Sequence, residues 1–505
     1  MKTITIRYSL AVLLAVTTIT SCDDFLEVSP KGAFLTENYY KNRDQVFAGL
    51  IATYDALRKN TGGFENMVAM MNAGSDDHVA GGGSASDGLQ LHVFDDFTLT
   101  PDNMATSYWD DHYQGIFRAN ILLQKIEGVE MDAAEKARII GEAKALRALY
   151  YFNLVRMFRN IPLLLEPLTA TNMYEVEQAS PDAVYDQIES DLIDAKAVLP
   201  ATVPTPEKGR ITKGGAQALL GKVYLYRGKN AQAAAEFAEV NGEPGETSIY
   251  GYKLLDNFAD LWVHSNVYNS ESIIECTHSN LSRNDWGFWG SGLDEGNTLN
   301  VMVGIRSYSR VNPASSAPEA MPGGWSFNTF TQSFYDAIKD DPRFEATVFD
   351  IAAYEEAGDV TYVHGHEDLG YYLNKFMPRM EDVSTLGGAV DLNYQQHSYI
   401  IRLADTYLME AEALGATGER AQKLLDAVRA RVGLPSVPVS MDAIKRERRL
   451  ELAGEGHRFF DLVRWGDAAT VLAADGFVAG KHEIFPIPTK ELNGTKLRQN
   501  PGYDQ

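Results

Sequence analysis

Cysteine is almost absent from these 505 residues: only Cys22 and Cys276 occur. No framework of several disulfides can hold this chain together, and if Cys22 is otherwise engaged no intrachain bridge forms at all. Tryptophan is also scarce, six in all, so where the indoles fall is informative. Cationic side chains fall short of acids, 45 Lys and Arg against 69 Asp and Glu, for a net charge of -24. A field of that sign repels a phosphate backbone, so no nucleic-acid partner is expected. Beyond the first residues no segment is apolar enough to cross a membrane.

Catalytic signatures are missing as well. There is no Gly-x-Ser-x-Gly elbow, phosphate loop or dinucleotide fingerprint. Adjacent acids at Asp95-Asp96, Asp110-Asp111 and Asp340-Asp341 read as solvated turns or helix starts. A glycosidase needs two carboxylates flanking one bond, which sequence adjacency does not supply. His364-Gly-His366-Glu367 could begin a metal site, but no third ligand stands at a recognisable spacing. The chain is therefore read as non-enzymatic and without a cofactor. Its Asp and Asn clusters are compatible with a structural Ca²⁺ ion, although no EF-hand pattern calls for one.

The N-terminus carries the clearest local signal. A basic start (Lys2, Arg7) precedes the apolar run Leu10-Ala-Val-Leu-Leu-Ala-Val16, and then Ile19-Thr20-Ser21-Cys22. That order is a lipobox, in which an aliphatic residue and two small ones precede a cysteine to be lipidated and freed by cleavage. Residues 1–21 are thus expected to be a lipoprotein signal peptide, and 22–505 a single exported unit anchored through Cys22. The competing reading is an ordinary cleaved signal with a chance cysteine. Losing Lys2 and Arg7 would take the side-chain charge from -24 to -26.

The body reads as helical, in pairs. Glu142 to Phe158 places Leu146, Tyr150, Leu154 and Met157 at helical spacing before Pro162 ends it. Lys213 to Arg227 and Ala231 to Val240 form one helix–turn–helix unit, Ile401 to Leu414 and Arg420 to Val432 another. Alanine-rich hairpins of this kind have the character of tetratricopeptide repeats, though their spacing is too irregular for a regular solenoid. The fold class is mostly α, with the helical scaffold over about 36–240 and 397–505. Between them runs a long excursion, about 241–396, rich in Gly, Asn, Ser and Trp, with a few short strands. Cys276, in Ser272-Ile-Ile-Glu-Cys276, is expected to be a buried inert thiol on one of them.

The last quarter carries a family likeness. Lys445-Arg-Glu-Arg-Arg-Leu-Glu-Leu-Ala-Gly-Glu-Gly-His457-Arg-Phe-Phe-Asp-Leu-Val-Arg-Trp465-Gly resembles the closing signature of the RagB/SusD family of outer-membrane nutrient-binding lipoproteins. Other blocks match in the family's order: Cys22-Asp-Asp-Phe-Leu-Glu27, Glu142-Ala-Lys-Ala-Leu-Arg-Ala-Leu-Tyr-Tyr-Phe152, Asp340-Asp-Pro-Arg343 and Ile401 through Glu412. Phe485-Pro-Ile-Pro488 and Gln499-Asn-Pro-Gly-Tyr503 close the chain. The signature itself reads as scaffold, with charges of both signs placed to pair and Phe459, Phe460, Leu462 and Trp465 as a docking face. The resemblance implies a SusD-like fold and a surface-exposed, lipid-anchored outer-membrane protein. It implies a partner, a TonB-dependent transporter of the SusC type, and a ligand, an oligosaccharide or polysaccharide handed on to that barrel. In some relatives the ligand is a peptide, so peptide capture and a purely structural cap are the alternatives, followed by a glycoside-acting enzyme. Asp23 and Asp24 resemble the acidic tag that displays such lipoproteins on the outer face.

Sugars offer flat C–H faces rimmed by hydroxyls, so a site needs exposed aromatic planes beside polar side chains. Four tryptophans, Trp262, Trp286, Trp289 and Trp325, fall in the excursion. The best candidate is Arg283-Asn284-Asp285-Trp286-Gly-Phe-Trp289, two indoles among glycines with three polar neighbours. Trp325, with Arg306 and Tyr308, is added as rim. Asp76 and Asp77, before the glycine-rich Gly81-Gly-Gly83, form a second candidate and resemble a loop that supplies polar contacts in relatives. Trp109, which leads into a helix over Ile116 to Ile126, is expected in the core.

Overall fold

Residues 39–169, 171–288 and 295–504 are described in the structure, a computed structural model. Helices α1 (Arg43–Asp55), α2 (Met67–Ala73), α3 (Leu89–Asp95), α4 (Ser107–Ile126), α5 (Ala133–Phe158), α6 (Pro181–Val198), α7 (Lys213–Tyr226) and α8 (Asn230–Asn241) come first. Short helices follow, among them α9 (Thr298–Val303) and α10 (Gln332–Ile338). Then come α11 (Leu403–Ala413), α12 (Gly418–Arg431), α13 (Met441–Glu451) and α14 (Arg458–Trp465).

The expected hairpins are present, with two differences. The helix expected from Glu142 begins at Ala133, because the Asp132 carboxylate accepts from the backbone N–H groups of Ala134 and Glu135 and starts it earlier. The helix expected from Ile401 begins at Leu403, because β6 (Ser398–Arg402) is a strand, paired antiparallel with β1 (Ser272–Cys276). Cys276 lies on β1 as expected. It is buried, its Sγ donates to the Leu57 carbonyl at 3.2 Å, and burial pushes its thiol up to about 12.

Packing explains how so long an excursion is tolerated. Helices α5 to α8 each pack on the one before, and α1 packs on α4. The series then steps over the excursion: α8 packs directly on α11, and α11 on α12 and α13. The excursion is an insertion between two neighbours of a helical stack, and the β1–β6 ladder is its stem. Ala216, Ala233, Ala404, Ala411 and Ala421 are fully buried at these contacts, where small side chains let the helices close on Leu220, Phe237 and Leu408. Each such leucine or phenylalanine contributes about 1.5–3 kcal/mol of burial. The insertion also has a small core of its own around Ile305, Ile351, Val360 and Tyr372. Two minimal ladders frame it: β2 (Ser309–Arg310) with β4 (Val360–Thr361), and β3 (Val348–Asp350) with β5 (Tyr371–Leu373).

The closing signature fastens the parts together. Glu451 is fully buried and accepts from Arg402 at 2.7 Å, from Arg343 at 3.0 Å and from Arg431. Glu455 binds Arg402 and the buried Lys375, and Arg448 joins Asp405 to Asp461. Within this network Arg343 and Lys375 come from the insertion, Arg402 from its stem, Glu451 and Glu455 from α13 and its exit, Asp405 from α11 and Asp461 from α14. Phe459, Phe460 and Leu462 are buried beside it. The signature is structural, as its mixed charges suggested, but its partners are far away in sequence rather than one helical turn along.

Candidate functional site

An open cleft of about 780 Å³ lies where the insertion meets the first helices, lined by Phe64, Glu65, Asp87, Trp286, Trp325 and Phe327 among others. Its wall is built from backbone. The segment Gly324–Phe327 pairs with the end of α9 and the turn after it: Trp325 N–H donates to Val301 O at 2.9 Å, Phe327 N–H to Met302 O at 2.8 Å and Ser326 N–H to Gly304 O at 2.8 Å. Gly304 and Gly324 touch so closely that a Cβ at Gly324 would stand 2.0 Å from the Gly304 carbonyl carbon. The glycines after α9 and before Trp325 therefore set where the indole sits.

Trp325 is the centre of an aromatic strip. Its ring centroid is 6.3 Å from that of Phe64, with planes inclined 39°, and 6.0 Å from that of Trp286, inclined 31°. Phe327 props Phe64 edge-on at 5.4 Å. Trp286 forms the outer end and is 48% exposed. The loop that carries it is pinned from below, where Asn393 Oδ1 accepts from Asn284 N–H at 3.0 Å and Asn393 Nδ2 donates to Asn284 O at 2.9 Å. The Asp285 carboxylate then accepts from Trp286 N–H at 2.9 Å.

Polar groups flank the strip in bound sets. Arg306 donates through Nε to Trp325 O at 2.9 Å and through Nη2 to Asp87 Oδ2 at 2.7 Å. The same Asp87 oxygen accepts from Gly83 N–H at 2.7 Å. Deeper in, Lys59 Nζ donates to Ser107 Oγ at 2.5 Å and faces Asp111 at 3.3 Å, while the Ser107 hydroxyl donates to Glu65. Burial pushes the Lys59 ammonium down, and Asp111 and Glu65 oppose that.

The loop behind Asp87 is held by a backbone that leaves no room for a side chain at Gly81. Gly81 has φ +75°, and a Cβ there would lie 2.4 Å from the Ser326 carbonyl oxygen. A main-chain oxygen cannot swing aside, so Gly81→Ala is expected to destabilise the protein by about 2 kcal/mol or more. Denaturant midpoints would check this; an unchanged midpoint would show that the loop can be rebuilt.

The structure brings together Trp286, Trp325 and Arg306 from the sequence reading, with Asp285 and Asn284 supporting Trp286. Arg283 is exposed, with φ +57°, and is not among the lining residues. Asp76 and Asp77 are outside the lining too, and belong to the scaffold: Arg458 holds Asp76 at 2.7 Å and Arg449 holds Asp77 at 2.7 Å. Tyr308 packs on the insertion's own core and donates to Pro318 O at 2.5 Å. Trp109 is buried. Cys22 and Trp289 lie outside the described residues. Phe64, Glu65, Asp87 and Phe327 were not singled out from sequence. Phe64 and Glu65 follow the Gly62-Gly63 pair, an aromatic between glycine and an acid as Trp286 is in the reverse order, and could have been found by that signal.

Comparison with known proteins agrees with this architecture. Residues 325–503 match the model of the SusD family, and 24–225 match a family described as starch-binding and associating with the outer membrane. A solved laminarin-binding SusD-like protein is 60% identical, covering 92% of this chain and 100% of its own, with a TM-score of 0.90. Surface glycan-binding protein A from Bacteroides thetaiotaomicron, solved with laminarihexaose, is 25% identical over 91% of this chain and 100% of its own, with a TM-score of 0.80. A SusD-like protein of Formosa agariphila is 26% identical over 94% of both chains. From its signature, its inserted helical stack and these likenesses, this chain belongs to the SusD family.

Proposed function

We propose that this protein is a non-catalytic glycan-binding lipoprotein of the outer membrane that captures laminarin-type glucans in the aromatic cleft. The observation that carries the reading is the strip Phe64–Trp325–Trp286, in which neighbouring ring planes are inclined by 39° and 31° rather than coplanar. A glucan of the laminarin type coils as it extends, and its successive C–H faces follow a strip of inclined rings better than a flat one. A ribbon-like chain of the cellulose type would lie along coplanar rings instead. Two relatives, one named for laminarin binding and one solved with laminarihexaose, support the same ligand class.

The polar groups support capture rather than cleavage. Among the described lining residues the carboxylates of Glu65, Asp87 and Asp111 each face a cation or a hydroxyl donor, as acceptors for hydroxyl rims do. Residues 1–21 act as the signal peptide, Cys22 bears the lipid, and 22–505 fold as one unit. The bound glucan passes to a TonB-dependent transporter of the SusC type.

Calorimetry of the lipid-free protein, starting after residue 22, against laminarin, cellulose-type and starch-type oligosaccharides tests this reading. Binding heat with laminarin, weakened about fivefold in Trp286→Ala, is the expected result, since a half-exposed rim aromatic contributes about 1 kcal/mol. Silence across the glycans with binding to a peptide digest would replace glycan capture with peptide capture.

A further inference from the structure

We infer that the cleft selects by charge, accepting uncharged glucans and refusing sulfated or uronate-bearing ones, and that the Asp87–Arg306 pair enforces this. The inference rests on the reading of the cleft as a glucan site. Sulfate and carboxylate groups on a polysaccharide are bound by cations with unmet charge, arginine above all. The cleft contains three cations among its described lining residues, Arg58, Lys59 and Arg306, and three acids, Glu65, Asp87 and Asp111. Each cation already has a carboxylate of this chain near it. Arg58 faces Asp55 at 3.9 Å, an acid it shares with Arg118, Lys59 faces Asp111 at 3.3 Å, and Arg306 meets Asp87 at 2.7 Å.

Arg306 is the decisive one. Its guanidinium reaches the cleft wall next to the central indole, held there by the Trp325 carbonyl, and remains 28% exposed. It is the group an anionic glycan stacked on Trp325 would meet. Asp87 stands on it first, fixed in turn by Gly83 N–H, so an arriving sulfate meets a neutral pair with a carboxylate in front. The acidic net charge of the whole chain, -24, adds a long-range repulsion of the same sign.

The test compares one backbone with and without charge: laminarin and chemically sulfated laminarin, titrated by calorimetry at low and at high salt. The quantity read is the ratio of the two affinities within each variant, so that any general effect of a substitution on binding cancels. The wild-type protein is expected to favour plain laminarin strongly. Asp87→Asn keeps the shape and the acceptor for Gly83 N–H but uncovers the Arg306 charge. It should shift the ratio toward the sulfated polymer by about five- to tenfold at low salt, the size of one near-surface charge pair, and less at high salt. Arg306→Gln, which leaves Asp87 uncompensated, should shift it the other way, and the double variant should return it close to the wild-type ratio. Wild-type protein that binds both polymers equally, or an Asp87→Asn ratio that does not move, overturns charge selection while leaving glucan capture intact. Absence of binding to plain laminarin overturns the glucan site, and this inference with it.

Discussion

Trp325→Ala should reduce affinity for laminarin-type glucans about thirtyfold or more, the largest loss of any single substitution in the cleft. Trp325 lies between both ends of the aromatic strip, with Phe64 on one side and Trp286 on the other. Its position is fixed before any ligand arrives, through backbone bonds to Val301 and to the Arg306 side chain. A pre-placed central aromatic is where binding energy concentrates, and truncating one costs about 2 kcal/mol or more, which is about thirtyfold. Trp325→Phe keeps a plane at the same place and should recover most of the affinity. If the affinity of Trp325→Ala equals that of the wild type while its melting behaviour is unchanged, the strip is not the binding surface. A drop in stability alongside the loss would point instead to collapse of the wall, which the phenylalanine variant distinguishes.

The helical scaffold could be read from the sequence because its information is local. Apolar residues at helical spacing, alanines at the close contacts and breaks at Gly228 and Gly415 all lie within a few residues of one another. The boundary at Ile401 was misread for a related reason. Ile400 and Ile401 fit a helical stripe, and only the distant strand Ser272–Cys276 makes them a ladder. The cleft was half legible. Trp286 and Trp325 stood out because indoles are rare here and these two have no periodic apolar partners. Phe64 and Asp87 did not, since phenylalanine is common and a lone aspartate in a loop has no signature. Their roles arise from contacts with Trp325 and Arg306, more than 200 residues away in sequence. Asp76-Asp77 shows the converse error. A polar pair beside glycines reads as a ligand loop, but the structure sets Arg449 and Arg458 of the closing signature against it.

That network of buried charges also sets the second large effect. Glu451→Gln should cost about 3–5 kcal/mol, because it leaves Arg343, Arg402 and Arg431 facing a neutral amide where a carboxylate stood. Against a total stability of about 5–15 kcal/mol, that is enough to separate insertion from scaffold under mild denaturant. The pH dependence identifies the cause. Burial alone would raise the Glu451 carboxyl, but Arg431, Arg402 and Arg343 hold it well below its ordinary value. Asp461 is likewise held down to about 2 against its burial, by Arg448 and Arg464. A carboxyl with a depressed folded-state pKa stabilises the protein above its unfolded value, about 4, and loses that contribution as pH falls further. An earlier loss comes from His78, His112 and His457, which burial pushes down to about 4. The unfolded chain takes up those protons first, so stability begins to fall below about pH 6.5. Denaturant midpoints measured from pH 8 to pH 3 should therefore fall in two stages for the wild type. The gap between wild type and Glu451→Gln should hold through the histidine stage and narrow only below about pH 4, where Glu451 of the unfolded wild-type chain takes up a proton while the folded carboxylate stays charged. A gap that stays constant to pH 3 would mean that the variant loses packing rather than charge.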